Sequence, residues 1–479
     1  MDIAIHMSVF VHAWPFGAHL NHLSLPILNA AVVFADKLRV KERDNQANCR
    51  FCGATLKNTF VDLGMSPPCE AILTQSQLNQ MEAFYPLHVF VCDSCFLVQL
   101  QEYVTPENIF TEYAYFSSFS ASWLAHAKCY TRRMIERFGF DRQSQVIEVG
   151  SNDGYLLQYF MEAGIPVLGI EPARNVAKVA VNKGIPTVVK FFGAELAEQL
   201  RSERMQADLL LGNNVLAHVP NLRSFVKGMK ILLKPRGILT LEFPHLMRLM
   251  EDIQFDTIYH EHFSYFSFIT ARRILAEFGL TVFDVEELPT HGGSLRVYAR
   301  HSENAADPVT SRVQELSTRE IQAGFTCLET YSSFAEKVKE TKRRILRFLI
   351  RAKRDGKTVV GYGAPGKGNT LLNYCGIRTD FLDYTVDRNP YKHGKFLAGT
   401  HIPVFEPGRI RETKPDYILI LPWNLKDEIV QQMRHVGKWG ARFIVPIPGV
   451  SIIDSDPFSH ERRTLSCGWI GALANRGGG

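Results

Sequence analysis

Short β-branched and leucine-rich runs alternate along this chain with longer stretches whose apolar residues recur every three or four positions. Two segments share one order of events: an apolar run, a glycine loop, then an apolar helical pattern. They are SQVIEVGSNDGYLLQYFMEAG (144–164) and KTVVGYGAPGKGNTLLNYCG (357–376). Strand-like runs follow the first at VLGIEP (167–172), ADLLLGNNVL (207–216) and GILTLEFP (237–244). They follow the second at FLDYTVD (381–387) and DYILILPW (416–423). Short apolar strands alternating with helices predict parallel sheets built from βαβ units. The expected fold class is α/β, with two Rossmann-like doubly wound domains in series.

Between them, 334–357 reads as a helix. Phe334, Val338, Ile345, Phe348 and Leu349 share roughly one face, and Asp355-Gly356 is a fitting stop. Its many basic residues suit a helix C-terminus or a solvated face.

Composition narrows the class. With 479 residues the chain suits two to four domains, at about 100–200 residues each. An apolar fraction of 46%, a charged fraction of 22% and a net charge of +5 are ordinary for a soluble globular protein. That charge does not call for a polyanionic partner. Residues 3–35 lack Lys, Arg, Asp and Glu, but histidines, prolines and asparagines interrupt them, and no basic region precedes Lys37. They predict neither a spanning helix nor a signal peptide. Residues 1–45 read as a poorly ordered extension and 454–479 as a tail.

Nine cysteines, an odd number and mostly scattered, do not make a secreted disulfide framework, so a reducing cytoplasm is expected. Four of them form two C-x-x-C knuckles, Cys49/Cys52 and Cys92/Cys95. Two such knuckles bring four thiolates to one tetrahedral point, which suits zinc. Four sulfurs leave no open position, so the metal's role is structural. Cys69, in SPPCEA, is not needed as a ligand and reads as packing or a channel wall.

The first glycine loop runs Glu148-Val-Gly150-Ser-Asn152-Asp-Gly154. Gly150 permits a sharp turn and the close approach of a ligand. Glu171 ends the next strand, where a carboxylate can accept hydrogen bonds from ribose hydroxyls. Asn213 and Asn214 sit in LLLGNNVLAHV at a later strand end. The loop has no lysine for a phosphate. It suits a nucleoside without phosphates, and S-adenosylmethionine is one.

The second loop, Gly361-Tyr-Gly363-Ala-Pro-Gly366, fits G-x-G-x-x-G, with Asp387 ending a following strand. On spacing alone this is a dinucleotide site, as in an NAD(P)-dependent oxidoreductase. Lys367 and Asn369, just inside the helix, point instead to a diphosphate at its N-terminus. A third cluster, YHEHFSYFS (259–267), is open to three readings: a metal site, an acid/base centre, or polar loop residues. His260 and His262 lack the spacing of H-E-x-x-H, which weakens the metal reading.

The chain resembles the S-adenosylmethionine-dependent sugar-nucleotide C-methyltransferases. The resemblance is carried by the four cysteines in order, LGMSPPCEA (63–71), TEYAYFSS (111–118), VIEVGSNDGYLL (146–157), GIEPA (169–173), NNVLAHVPN (213–221), YHEHFSYFS (259–267), HGGSLRVY (291–298) and GYGAPGKGNTLLN (361–373). It spans roughly 46–453. It implies methyl transfer to C3 of a 4-keto-6-deoxyhexose on a nucleoside diphosphate, such as a dTDP-linked sugar. It implies a zinc-binding module (46–112), a methyl-donor domain (113–290) and a C-terminal domain that holds the nucleotide-sugar (291–453).

A sugar carbon becomes a nucleophile only as a carbanion, and a neighbouring ketone allows an enolate. The protein must supply a base, partners for the enolate oxygen, and alignment. The resemblance assigns the base to His262, with Tyr259 and Glu261 beside it and Tyr113 and His218 lining the site. It places Gly363, Lys367, Asn369, Asp387, His291 and Ser294 toward the sugar nucleotide, and Glu148, Gly150, Asn152, Gly154, Glu171, Asn213 and Asn214 toward the donor. An RNA methyltransferase is a rival, given the basic helix, but the modest charge gives no strong electrostatic footprint. The expected partners are small molecules, without nucleic acid or membrane, for a monomer or weak oligomer.

Overall fold

The computed structural model describes residues 47–107 and 116–455. The expected extension over 1–45, the tail beyond 455 and Tyr113 lie outside the described residues.

The strands are β1 (Asn58–Ser66), β2 (Ile72–Leu73), β3 (Tyr85–Val91) and β4 (Val98–Leu100), then β5 (Val146–Val149), β6 (Val167–Ile170), β7 (Thr187–Val188), β8 (Ala207–Asn213), β9 (Leu233–Pro244), β10 (Ser264–Tyr265), β11 (Leu280–Leu288) and β12 (Ser294–His301). The C-terminal set is β13 (Val359–Tyr362), β14 (Thr385–Val386), β15 (Lys395–Leu397), β16 (Pro403–Phe405), β17 (Tyr417–Ile420), β18 (Arg442–Val445) and β19 (Ser451–Asp454). They form three sheets.

The middle sheet has the order β11-β12-β9-β8-β5-β6-β7, parallel from β9 to β7. Antiparallel β12 and β11 close one side. β5 is buried at every position, as expected of a central parallel strand, and this includes Glu148 within its otherwise apolar run VIEV. Its neighbours β6 and β8 lead the chain away in opposite directions. The loop after β5 therefore sits at a switch point, where α/β sheets open a crevice. The C-terminal sheet has the order β19-β18-β17-β13-β14-β16-β15-β2. Central β13 has the same switch-point position between β14 and β17. Both doubly wound arrangements match the sequence reading.

Two short strands leave their expected domains. β2, from the cysteine-rich module, pairs with β15 at the edge of the C-terminal sheet. β10 pairs with β4 to complete the four-stranded N-terminal sheet β1-β3-β4-β10. β12 also crosses the boundary expected after residue 290, because it pairs with β9 and β11 in one hairpin-closed edge. The last strand reaches Asp454, opposite Arg442, so the C-terminal sheet ends slightly inside the expected tail.

The linker helix, Phe334–Arg354, buries Phe334, Val338, Ile345 and Leu349 and leaves its basic face outside. There Arg343 and Arg344 pair with Glu336 and Glu340. Phe60 of β1 stacks on Phe334 with ring centroids 4.6 Å apart, seating the N-terminal sheet on this helix. Among the described residues, no helix is long and apolar enough to cross a membrane.

Candidate active site and metal centre

Each C-x-x-C pair sits in a tight turn. Gly53 N–H returns to the Cys49 carbonyl, and Phe96 N–H to the Cys92 carbonyl, at 2.9 and 3.0 Å. The two turns face each other, with all four ligand sulfurs within 4.8 Å of one another. The Cys49–Cys95 and Cys52–Cys92 sulfurs are 3.5 Å apart. A tetrahedron of ~2.3 Å Zn–S bonds needs sulfurs about 3.8 Å apart, so the cluster fits zinc. Gln99 Nε2 donates to Cys49 Sγ at 3.1 Å, a supporting contact that fixes a ligand.

At the end of β5, Gly150 has φ +71, and a Cβ there would lie 3.1 Å from Val215 Cγ2. The glycine lets the loop turn under the cleft. Glu171, at the end of β6, accepts from Asn152 N–H at 2.9 Å and from Ala173 N–H at 2.8 Å. Burial raises its pKa. Asn152 Oδ1 accepts from Ser117 N–H at 2.9 Å. Asn213 lines the same cleft at the end of β8. Its amide oxygen and nitrogen are buried with no hydrogen-bond partner among the described residues. A buried amide left so costs about 1–3 kcal/mol, which a polar ligand would recover. The loop, Glu171 and this amide fit S-adenosylmethionine.

Glu148 and Gly154 serve this loop from beneath rather than from the cleft. Glu148 is fully buried, and burial raises its pKa well above the ordinary value. A Cβ on Gly154 would fall 2.3 Å from Ile185 Cδ1, so its absence lets the loop pack down.

The histidines of YHEH diverge. His260 Nε2 donates toward the carbonyls of Tyr85 and Pro86, 3.3 Å from each, away from the cleft. His262 turns inward. Its Nδ1–H donates to the Thr257 carbonyl at 2.9 Å. A carbonyl can only accept, so in the neutral ring Nε2 carries the lone pair. The rings of Tyr259 and His218 lie 4.1 and 4.7 Å from the His262 ring. Burial lowers the pKa of His262 well below 6.5, and the neighbouring His218 adds to this. Burial brings His218 down to about 4 and His291 likewise to about 4. Burial pushes the Tyr259 phenol well above its usual value. At neutral pH the site therefore holds neutral imidazoles and a neutral phenol. Glu261 accepts from Cys69 Sγ at 3.7 Å. The thiol is in the cleft wall, one of the two places the sequence left open to it.

The second glycine loop is used differently. Gly366 N–H, at the start of helix Gly366–Cys375, donates to Glu70 Oε1 at 2.9 Å. The other Glu70 oxygen lies 3.2 Å from Lys392 Nζ. A Cβ on Gly366 would meet Cys69 Sγ at 2.8 Å and Glu70 Oε1 at 2.9 Å. Gly363, with φ +90, is closed over by Pro422. Asp387 accepts from Ala364 and Asn389 N–H groups at 2.6 and 2.7 Å. Asn369 is buried, donating to the Cys69 carbonyl at 3.2 Å. Ser294 Oγ donates to the Thr290 carbonyl at 3.0 Å. The glycines thus admit protein atoms, and the carboxylate at the helix N-terminus is the chain's own.

One cleft of about 830 Å³ joins these parts. Of the residues expected from sequence, Gly150, Asn152, Glu171, Asn213, Asn214, His218, Tyr259, Glu261, His262, His291 and Lys367 line it. Glu148, Gly154, Gly363, Asn369, Asp387 and Ser294 do not line it. The sequence reading missed Glu70, Trp123 and the Lys190–Gly193 segment, which also line the cleft. The last of these follows β7, and the carboxyl end of a parallel strand was a signal that could have been used.

Fold and site together define an S-adenosylmethionine-dependent methyltransferase carrying a four-cysteine zinc module. Three domain families match in order: a zinc binding domain over 49–110, a methyltransferase domain over 123–285 and a C-methyltransferase C-terminal domain over 289–448. The C-methyltransferase NovU of Streptomyces niveus is 36% identical over 412 residues, covering 85% of this chain and 97% of NovU. The ubiquinone biosynthesis O-methyltransferase of Bordetella avium is 34% identical over 95 residues, covering 19% of this chain and 39% of that protein. The solved magnesium protoporphyrin IX methyltransferase of Synechocystis PCC 6803 overlays 37% of this chain and 79% of its own at 15% identity and a TM-score of 0.29. The chain belongs to the C-methyltransferase family.

Proposed function

We propose that this C-methyltransferase methylates C3 of a 4-keto-6-deoxy sugar carried on a nucleoside diphosphate, dTDP being the first choice, in making a branched-chain deoxysugar. The observation that carries the reading is the hydrogen bond from His262 Nδ1–H to the Thr257 carbonyl. It leaves a lone pair on Nε2 in a buried cleft that Gly150, Glu171, Asn213 and Lys367 also line.

S-adenosylmethionine, when bound, supplies an electrophilic methyl. The chain must make the carbon that attacks it. His262 Nε2 takes the C3 proton, and the C–H pair moves into the C3–C4 bond as the C4 carbonyl becomes an enolate. Burial disfavours the imidazolium, but the enolate formed beside it supplies an opposite charge that favours it. Tyr259 donates its phenol to the developing oxyanion, and His218 stands on the other side of the base. Glu261 holds the tyrosine–histidine turn from its seat against Cys69. Tyr113 is assigned to the same acceptor site. Lys367 faces the diphosphate, and His291, 3.0 Å from the Asn214 amide nitrogen, lines the same cleft. The polar groups are fixed before the reaction, which is what makes them effective on a charge that develops within it.

The test is to incubate the protein with S-adenosylmethionine and a dTDP-4-keto-6-deoxyhexose and weigh the sugar nucleotide. A gain of one CH2 unit, and exchange of the C3 proton with solvent deuterium that needs His262, is the expected result. No gain with any 4-keto sugar nucleotide sinks the assignment.

A further inference from the structure

We propose that Asp256 and Trp423 are positioning residues for Lys367: they hold its ammonium at the acceptor end of the cleft, where it binds the diphosphate of the acceptor. The proposal rests on the reading that the acceptor is a sugar nucleotide.

Asp256 belongs to the 3-10 turn Phe255–Thr257 of the middle domain and is completely buried. Trp423 follows β17 in the C-terminal domain and is also buried. Its Nε1–H donates to Asp256 Oδ2 at 2.7 Å. The other carboxylate oxygen, Oδ1, is buried with no hydrogen-bond partner among the described residues. A carboxylate left half-satisfied in the interior is expensive, and burial pushes its pKa up to about 6. Of the groups that favour its charged form, Lys367 comes first, ahead of the indole and the backbone N–H groups of Asp256 and Thr257, so a further role is to be sought among these neighbours.

The first of these neighbours is Lys367. Its Nζ lies 5.0 Å from the centroid of the Trp423 ring, within cation–π range, and donates to Asn424 Oδ1 at 3.0 Å. The side chain lines the cleft. Burial lowers the lysine's pKa, and the charge of Asp256 works against that loss. Trp423 therefore stands between a buried anion at its edge and a buried cation at its face. This polarity matches the ring, whose edge is positive and whose face is negative. Gly292, with φ +90, makes room for it: a Cβ there would lie 2.7 Å from Trp423 Cη2.

The same turn also holds the base. Thr257, next to Asp256, supplies the carbonyl that accepts from His262 Nδ1–H. One turn thus fixes the proton acceptor directly and the ammonium through an indole. That shared support sets the distance between base and ammonium, which has to match the distance from carbon to diphosphate within one acceptor molecule.

The experiment uses the full-length, zinc-loaded protein and the variants D256N, W423F and K367M. D256N keeps an acceptor for the indole N–H and removes the charge. W423F removes the N–H and keeps an aromatic face. Binding of dTDP is measured by calorimetry, and KM and kcat with the keto sugar nucleotide, with S-adenosylhomocysteine binding and Tm as controls. In D256N, KM and the Kd for dTDP should rise about tenfold or more, equivalent to ~1.4 kcal/mol. kcat and S-adenosylhomocysteine binding should hold. W423F should move the same two quantities, and it carries the test if D256N does not fold. If K367M weakens dTDP but neither partner variant does, the positioning role is overturned. A fall in kcat at constant KM overturns it too, because the turn would then act on His262 alone. If K367M leaves dTDP binding unchanged, the sugar-nucleotide reading of this end of the cleft fails, and the inference falls with it.

Discussion

The two glycine loops of this enzyme have the same place in two similar sheets, yet they serve different masters. Each follows the central strand at a switch point and opens a helix. Around Gly150 the neighbours are a cleft, a carboxylate lining it from Glu171 and the Asn213 amide, which has no hydrogen-bond partner among the described residues. Around Gly366 the neighbour is Glu70, brought in by the zinc module and balanced by Lys392. A helix N-terminus favours an anion whatever its source. In the first domain the loop is left for a ligand. In the second an internal carboxylate takes the position that a dinucleotide's phosphate would need. A glycine pattern therefore reports a close approach to the backbone, and the fold decides what approaches.

The largest effect should come from between the loops. H262A should lower kcat by roughly 10²–10⁴-fold, the usual worth of a general base, with S-adenosylhomocysteine affinity retained. Retained turnover would mean that neither loop presents its ligand to this histidine. Next is zinc removal. Glu70 is carried on a strap leaving the metal-bound sheet, so chelation should abolish most activity and loosen β2 from the C-terminal sheet, read by hydrogen exchange. Activity unchanged after complete zinc loss would uncouple the module from the second loop.

A matched pair then sharpens the contrast. G150A places a side chain at φ +71 and 3.1 Å from Val215 Cγ2. It should weaken S-adenosylhomocysteine binding about tenfold, an effect of ~1.4 kcal/mol. G366A should leave that binding alone and lower Tm, because its Cβ collides with the Cys69-Glu70 strap. Equal effects on donor binding would erase the distinction. E70A should cost about 1–3 kcal/mol of stability by stranding Gly366 N–H, and E70Q less. If E70A instead gains measurable affinity for NADPH or inorganic diphosphate with no loss of Tm, the carboxylate is only a placeholder. The smallest effect is in the pH profile. As the proposed base His262 acts unprotonated, and burial lowers its pKa, so the neutral form persists below pH 6.5. The acid limb of kcat/KM should fall below that value, and a limb at or above 6.5 would contradict the buried base.

Much of this was legible along the chain because the signals are local. C-x-x-C turns, glycines after apolar runs and the alternation of strand and helix depend on residues a few positions apart. The inward turn of His262 was less so: His260 and His262 are two residues apart on one loop, and only their carbonyl partners separate them. Asn369 and Asp387 fit the dinucleotide spacing, yet Asn369 donates to the Cys69 carbonyl, and Asp387, which holds two loop N–H groups just as Glu171 does, lies outside the cleft that Glu171 lines.

The sequence by itself determined two doubly wound sheets and a four-sulfur metal centre, because each rests on short-range pattern and spacing. Only the tertiary structure decided what approaches the backbone of each loop. The Glu70–Gly366 hydrogen bond joins residues 296 apart in the chain, and Trp423–Asp256 joins residues 167 apart. No local periodicity encodes such a meeting. It follows from β2 joining the edge of a distant sheet and from the burial that makes each unpaired charge seek a partner.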